Sequence, residues 1–385
     1  MSRSTELAAQ KSLFAVWDPE TVFPEVKNIP DPDIISHIAV SRAKEGEWHY
    51  LHEAAIQWHK DRFYVAFANA RTHETGDYDE IIRGCTSVDG FRWSEPQIWA
   101  QPPLIGANSY NHPLLFSHQG ILYGFFVCWD EQHNPSTEIF TLDECKNEWV
   151  HHPEASIPLF LPFCTPQLME DGNWIIGGEN HWDDSAVAIS DGENLLHWKM
   201  VKIPREESCQ IRYPESSVID LGNGHLIDFC RPNNVINEKN PLFKMDTAPV
   251  SESFDYGKTW SVLTYSNFPL SDSQPFSGRL STGQNYLITN SLEDGRALLT
   301  IALTEPGGKL FKKIYKIRHQ QWPARRLFGG FGGKTYPGME RYSAVGSTTE
   351  WSYPNATEHD GNLYIVCSQG KEDCVLSVIP VDQLK

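Results

Sequence analysis

The eight cysteines form no Cys-x-x-Cys pair and stand in no ligand-like spacing with histidine, which excludes a zinc ribbon and a thioredoxin-like redox motif. Reduced, buried thiols are expected, with no metal and no cofactor. No apolar run approaches the roughly 20 residues that cross a bilayer, and no helical period is sustained for long. Met1 to Lys11 is mostly polar, so neither a secretion leader nor a membrane span is expected. The chain reads as cytoplasmic as written, or as secreted with its leader absent from this chain; Asn355-Ala356-Thr357 is a lone glycosylation acceptor that fits the second reading. Positive charge is scarce as well. With 32 Lys+Arg against 50 Asp+Glu, the formal charge of -18 repels nucleic acid and anionic membranes at long range, and an anionic partner needs a local basic pocket.

What the chain has in quantity is aromatic residues, 13 Trp and 14 Tyr among them, suited to stacking hairpins and to stacking on the apolar faces of sugar rings. It also repeats one turn. SFDYGKTW (Ser253 to Trp260), SVDGFRW (Ser87 to Trp93) and a looser SDGENLLHW (Ser190 to Trp198) place an Asp to accept backbone N–H bonds, a Gly to supply a positive φ, and a Trp to fold back over an apolar layer. Short β-type runs, each led by a turn, recur six times: KDRFYVAF, HQGILYGFF, EDGNWIIGG, GNGHLIDFC, STGQNYLITN and HDGNLYIVCS, from Lys60 to Ser368. An apolar inner strand precedes the turn, as in HEAAIQW, PESSVIDL and YPNATEH. This periodicity predicts an all-β chain, residues 1–385 forming a single β-propeller domain of six four-stranded blades. Ile34 to Ala43 is expected to close the last blade as its outer strand; seven blades follow instead if Ser12 to Trp17 and that segment make a sheet of their own. Phe328 to Gly338, rich in glycine, reads as a flexible loop, either a lid over one mouth or a plain linker.

The spacing Ser-x-Asp-x-Gly-x-x-Trp, kept strictly by Ser253 to Trp260, resembles the Asp-box of sialidase-like β-propellers. The likeness extends to the site. PESSVIDLGNGHLIDFCR is similar to the sialidase stretch in which a Glu starts a strand and an Arg ends the next, here Glu215 and Arg231. Arg296 stands where that family carries a further Arg, and Tyr353 falls where its nucleophilic Tyr begins the last blade. The family's first-blade Arg-Ile-Pro is missing, and the corresponding strand starts read LHEA and YNHP, with His52 and His112 where arginine is expected. Opening inner strands of neighbouring blades, these two histidines are expected at matching repeat positions around one pocket, where a neutral imidazole takes a proton at neutral pH and an arginine does not.

Further candidates come from the residues themselves. Arg212 can grip a carboxylate with two parallel hydrogen bonds, Tyr213 can exchange a proton, and Arg279 is another candidate ligand-binding cation. GGENHWDDS (Gly177 to Ser185) reads as a polar loop after a strand, with His181 and Trp182 as a sugar platform. Three functions fit this set. The first is β-elimination beside a uronate in an acidic polysaccharide or oligosaccharide, with His52, His112, Tyr213 and Tyr353 as proton-transfer candidates and arginine neutralising the carboxylate; the general likeness is to the propeller branch containing rhamnose-glucuronate lyases. The second is sialidase-like exo-hydrolysis by Tyr353 braced by Glu215, and the third is a non-catalytic propeller binding glycans or proteins. A monomer is expected.

Overall fold

The computed structural model describes residues 13–44, 47–71, 80–102, 109–181, 184–206, 211–232, 246–292, 296–319 and 350–385. The first ten strands are β1 (Ser36–Ser41), β2 (Tyr50–His59), β3 (Arg62–Ala70), β4 (Ile81–Ser87), β5 (Gln97–Ala100), β6 (Ser109–His118), β7 (Ile121–Trp129), β8 (Pro135–Asp143), β9 (Glu148–Pro158) and β10 (Phe160–Pro162). Next come β11 (Gln167–Leu168), β12 (Trp174–Asn180), β13 (Asp184–Asp191), β14 (Asn194–Lys202), β15 (Ser216–Asp220), β16 (Leu226–Cys230), β17 (Thr247–Ser253) and β18 (Thr264–Pro269). The last are β19 (Phe276–Arg279), β20 (Asn285–Asn290), β21 (Leu298–Thr304), β22 (Phe311–His319), β23 (Trp351–His359), β24 (Asn362–Gln369) and β25 (Asp373–Pro380). Two single-turn 3₁₀ segments are the helical content of the described residues. The fold is all-β, a six-bladed β-propeller.

The chain divides into two compact units. One, Ile35–Pro162 with Gln320–Pro380, holds the sheets β2-β3-β4-β5, β6-β7-β8-β9 and β1-β25-β24-β23. The expected closure is present, because β1 pairs antiparallel with β25 and completes the last sheet with an N-terminal strand. Inner hairpins turn on two residues: Gln119-Gly120 and Asp360-Gly361 each have φ > 0 at both positions, the primed geometry that matches strand twist. Phe63, Val65 and Phe67 of β3 pack with Tyr364, Val366, Leu376 and Val378 of the last sheet, while Tyr64, Ala66, Leu115, Phe126 and Phe140 fill the layer to the second. Each fully buried large side chain contributes about 1.5–3 kcal/mol relative to exposure.

The other unit, Met1–Ile34, Phe163–His319 and Val381–Lys385, holds β12-β13-β14 with β11 paired to β12, then β15-β16-β17-β18 and β19-β20-β21-β22. Trp17, Phe23, Phe229, Phe268 and Phe311 centre its core. Ser12 lies outside the described residues, and among the described residues the segment after it builds no seventh sheet: Phe14 and Trp17 make single parallel bridges to Ser266 and Phe311, and Trp17 is buried among that core.

The repeated turn links the third and fourth strands of three sheets. Asp89 accepts the N–H groups of Phe91 and Arg92, Ser87 Oγ accepts that of Gly90 (φ 75°), and Trp93 donates its indole N–H to Gly90 O and packs on the unit's core. Those backbone bonds, chiefly from Arg92, hold the Asp89 carboxyl well below the usual carboxylate range. Asp255, Ser253, Gly257 and Trp260 repeat the pattern. In the looser copy Ser190 bonds Trp174 N and Gly192 O, and Trp198 returns to Leu195 O.

Cys85 and Cys128 are buried, and burial pushes both thiols up to about 12. Cys145 is exposed, against the expectation of uniform burial, because it sits in the β8–β9 turn. Cys209 and the glycine-rich loop from Phe328 lie outside the described residues.

Candidate active site

Three inner strands of the first unit begin alike. In β2, β6 and β23 the pairing skips from His52 to Ala55, from Asn111 to Leu114 and from Ser352 to Asn355, so that two residues oppose one on the neighbouring strand. This is a β-bulge, a device that re-aims side chains. The first bulged residue of each is left-handed: Glu53 at φ 58°, His112 at 41° and Tyr353 at 54°. For side chains other than glycine that conformation costs roughly 1–3 kcal/mol and gathers at functional sites.

The bulges correct the expected equivalence of the two histidines. His112 matches Glu53 and Tyr353, whereas His52 matches Asn111 and Ser352, one residue earlier in the register. Both rings nevertheless meet Tyr353. His52 lies 4.2 Å from the Tyr353 ring centroid, and His112 is stacked at 6.2 Å with planes 25° apart. His52 is fully buried, its Nδ1 2.6 Å from Ser368 Oγ, which also contacts Ser352 Oγ at 3.0 Å.

Glu53, absent from the expected set, holds His112 twice. Its Oε2 accepts the His112 backbone N–H at 2.7 Å, and its Oε1 lies 3.2 Å from His112 Nε2. An ionised Glu53 accepting a hydrogen bond from Nε2–H fixes the tautomer and leaves Nδ1 as the basic nitrogen. The His112 side chain keeps 11% of its surface exposed and Glu53 6%, so the dyad is screened little by solvent while its imidazole stays reachable.

The second unit carries the guanidinium groups. Arg231, just after β16, donates from Nη1 to Glu215 Oε1 at 2.7 Å and from Nε to Asp272. Arg296 donates from Nε to the Asp272 carbonyl at 3.1 Å. Arg231, Arg296 and Glu215 are all buried. Two carboxylates thus share Arg231. Close by in sequence, Asp228 is fully buried, accepting from Ser185 Oγ at 2.8 Å and from Cys230 Sγ, and burial pushes its carboxyl up to about 6.

Arg279 is not brought to this group. It ends β19, opposite the start of β20, whereas Arg296 follows the end of β20, so the two occupy opposite ends of one sheet. Arg279 bonds Asn285 and lies near Asp220. Arg212 is exposed with its guanidinium 5.4 Å over the Tyr213 ring. Tyr213, at φ 54° before Pro214, repeats the backbone of Tyr353-Pro354.

The expected loop at Gly177 is largely strand. Glu179 and Asn180 end β12 and are buried, Asp184 starts β13 and meets Lys202 and Arg205, and His181 follows the strand end. Its dense polar residues hid the pairing that buries them. Trp182 lies outside the described residues. Among the described residues no group of three or more His, Cys, Asp or Glu could hold a metal ion.

Residues 61–365 match the BNR repeat-like domain family. The chain belongs to that family. Three solved structures frame this BNR repeat-like chain. A protein of unknown function from Dyadobacter fermentans is 14% identical with a TM-score of 0.62, the match covering 89% of this chain and 98% of that one. The Hadza microbial sialidase Hz136 is 12% identical with a TM-score of 0.64, covering 90% and 68%. The sialidase of Trypanosoma rangeli in complex with sialic acid is 13% identical with a TM-score of 0.56, covering 96% of this chain but 60% of that protein. No curated protein matches the sequence. At these identities the likeness is one of fold, a β-propeller.

Proposed function

We propose that the chain is a carbohydrate-active enzyme in which His112, oriented by Glu53, and Tyr353 transfer protons during cleavage of a glycosidic bond. The observation that carries this reading is the meeting of His112, Glu53 and Tyr353 from three equivalent, left-handed bulges. Packing alone supplies no reason to keep three side chains other than glycine in that conformation at one strand end.

Elimination beside a uronate uses this set most completely. His112 Nδ1 removes the proton at C5, the C4–O bond breaks as the C4–C5 double bond forms, and the Tyr353 hydroxyl protonates the departing oxygen. His52, fully buried against Ser368, acts by holding the Tyr353 ring. Hydrolysis is the second reading. It is favoured by the sialidase structures that share the fold, and it makes Tyr353 a nucleophile whose proton passes to His112.

The test is incubation with a glycan panel that includes uronate polysaccharides of the gum arabic and ulvan types together with sialosides. Elimination gives an unsaturated fragment that absorbs in the ultraviolet and is one water lighter than the hydrolytic product. Hydrolytic masses sink the elimination reading, and intact glycans throughout sink the enzymatic one in favour of binding.

A further inference from the structure

A groove of about 130 Å³ in the first unit is lined by Trp48, Leu51, Asn69, Arg83, Trp93 and Glu372, among others. It is separate from the bulge cluster: Leu51 lines it, and His52, next along β2, points to the opposite face of the strand. Two guanidinium groups share the Trp48 indole, Arg71 at 4.8 Å and Arg83 at 5.6 Å from its ring centroid, a cation–π arrangement that helps to fix the Arg83 side chain.

Arg83 is the unusual member. Its Nη1 donates to Asn69 Oδ1 at 2.8 Å and its Nη2 to the Pro96 carbonyl at 3.1 Å, while its buried Nε meets no acceptor. Among the described residues Arg83 forms no ion pair; Glu47 and Glu95 act on it only at a distance. Two other cations on the groove are matched, Lys44 on Glu95 at 3.1 Å and Arg42 on Asp373 at 2.7 Å. A half-buried guanidinium held by two neutral acceptors is desolvated without a counter-charge, and an oxyanion entering the groove would supply one in the planar geometry Arg prefers.

We infer that this groove is a second saccharide site that receives the acidic group of a sugar, a carboxylate or a sulfate, on Arg83. That the acid belongs to a saccharide rests on the function proposed above; the oxyanion site itself does not. Isothermal titration of the full chain with D-glucuronate, D-glucose and inorganic sulfate tests it. The expected result is glucuronate binding with a Kd of about 1–10 mM, at least about tenfold tighter than glucose and competed by sulfate. Arg83→Gln should weaken glucuronate at least about tenfold and remove the preference over glucose. Arg83→Lys, which keeps the charge and loses the fork, should fall between, and its titration decides if Arg83→Gln melts without cooperativity. His112→Ala should bind as the wild type does, so loss of turnover with groove binding intact sinks the proposed enzyme and not this site. Equal affinities in wild type and Arg83 variants, or no saturable glucuronate binding, would overturn the inference; sulfate binding without glucuronate would overturn its saccharide half.

Discussion

At the scale of single residues, three left-handed residues gather where chemistry is proposed, while others, such as Gln119 and Asp360, serve hairpin turns. Glu53, His112 and Tyr353 adopt left-handed backbone, and each meets another of the three or is stacked on it. Asp228 offers a separate test in its own unit. Its fully buried carboxyl is pushed up to about 6, above the unfolded value near 3.9. Between those values the folded chain holds a proton that the unfolded chain has released, so stability falls as pH rises from about 4 to about 6 and is flat beyond, a loss on the order of 3 kcal/mol. Asp228→Asn should remove that slope. Denaturant midpoints at pH 4 and pH 7 for both proteins measure it, and parallel wild-type and variant curves would show that Asp228 does not titrate as its burial implies.

At the scale of elements, the repeated turn and the two-residue hairpins set the sheets. Gly90, at φ 75°, has no room for a Cβ, which would lie 2.7 Å from Tyr364 Cε1; Gly192, at φ 58°, has open space around the same position. Gly90→Ala should therefore cost about 2–4 kcal/mol, from the left-handed backbone plus the displaced ring, and Gly192→Ala about 1 kcal/mol from backbone alone. Equal losses in thermal melts would contradict the packing argument. These turns were legible in the sequence because Asp, Gly and Trp at fixed offsets act locally. The six second strands were legible for the same reason, each being an apolar run behind a turn. The bulges were less so: no single residue is common to LHEA, YNHP and WSYP, although Pro follows the left-handed position in the last two, and the register is set by the neighbouring strand. Strand pairing, which no local string encodes, offsets His52 from His112 by one residue, brings Glu53 into the cluster and sets Arg279 a sheet's length from Arg296.

At the scale of the whole molecule, closure by the N-terminal strand ties distant parts of the sequence into one sheet. β1 covers the edge of β25, whose Val375, Leu376 and Val378 are buried. Ala39→Pro, which breaks the pairing of β1 with β25, should lower the melting temperature and form larger species in size-exclusion chromatography; a monodisperse variant with unchanged melting would contradict the role given to β1. The same sheet delivers Tyr353 to His52 and His112 of the two sheets that follow β1 in the chain. The central claim is that this meeting is a catalytic centre, and turnover by His112→Ala and Tyr353→Phe on a glycan that the wild type cleaves tests it most directly. Each variant should lose at least about a hundredfold in kcat with melting unchanged; wild-type turnover in both would contradict the account.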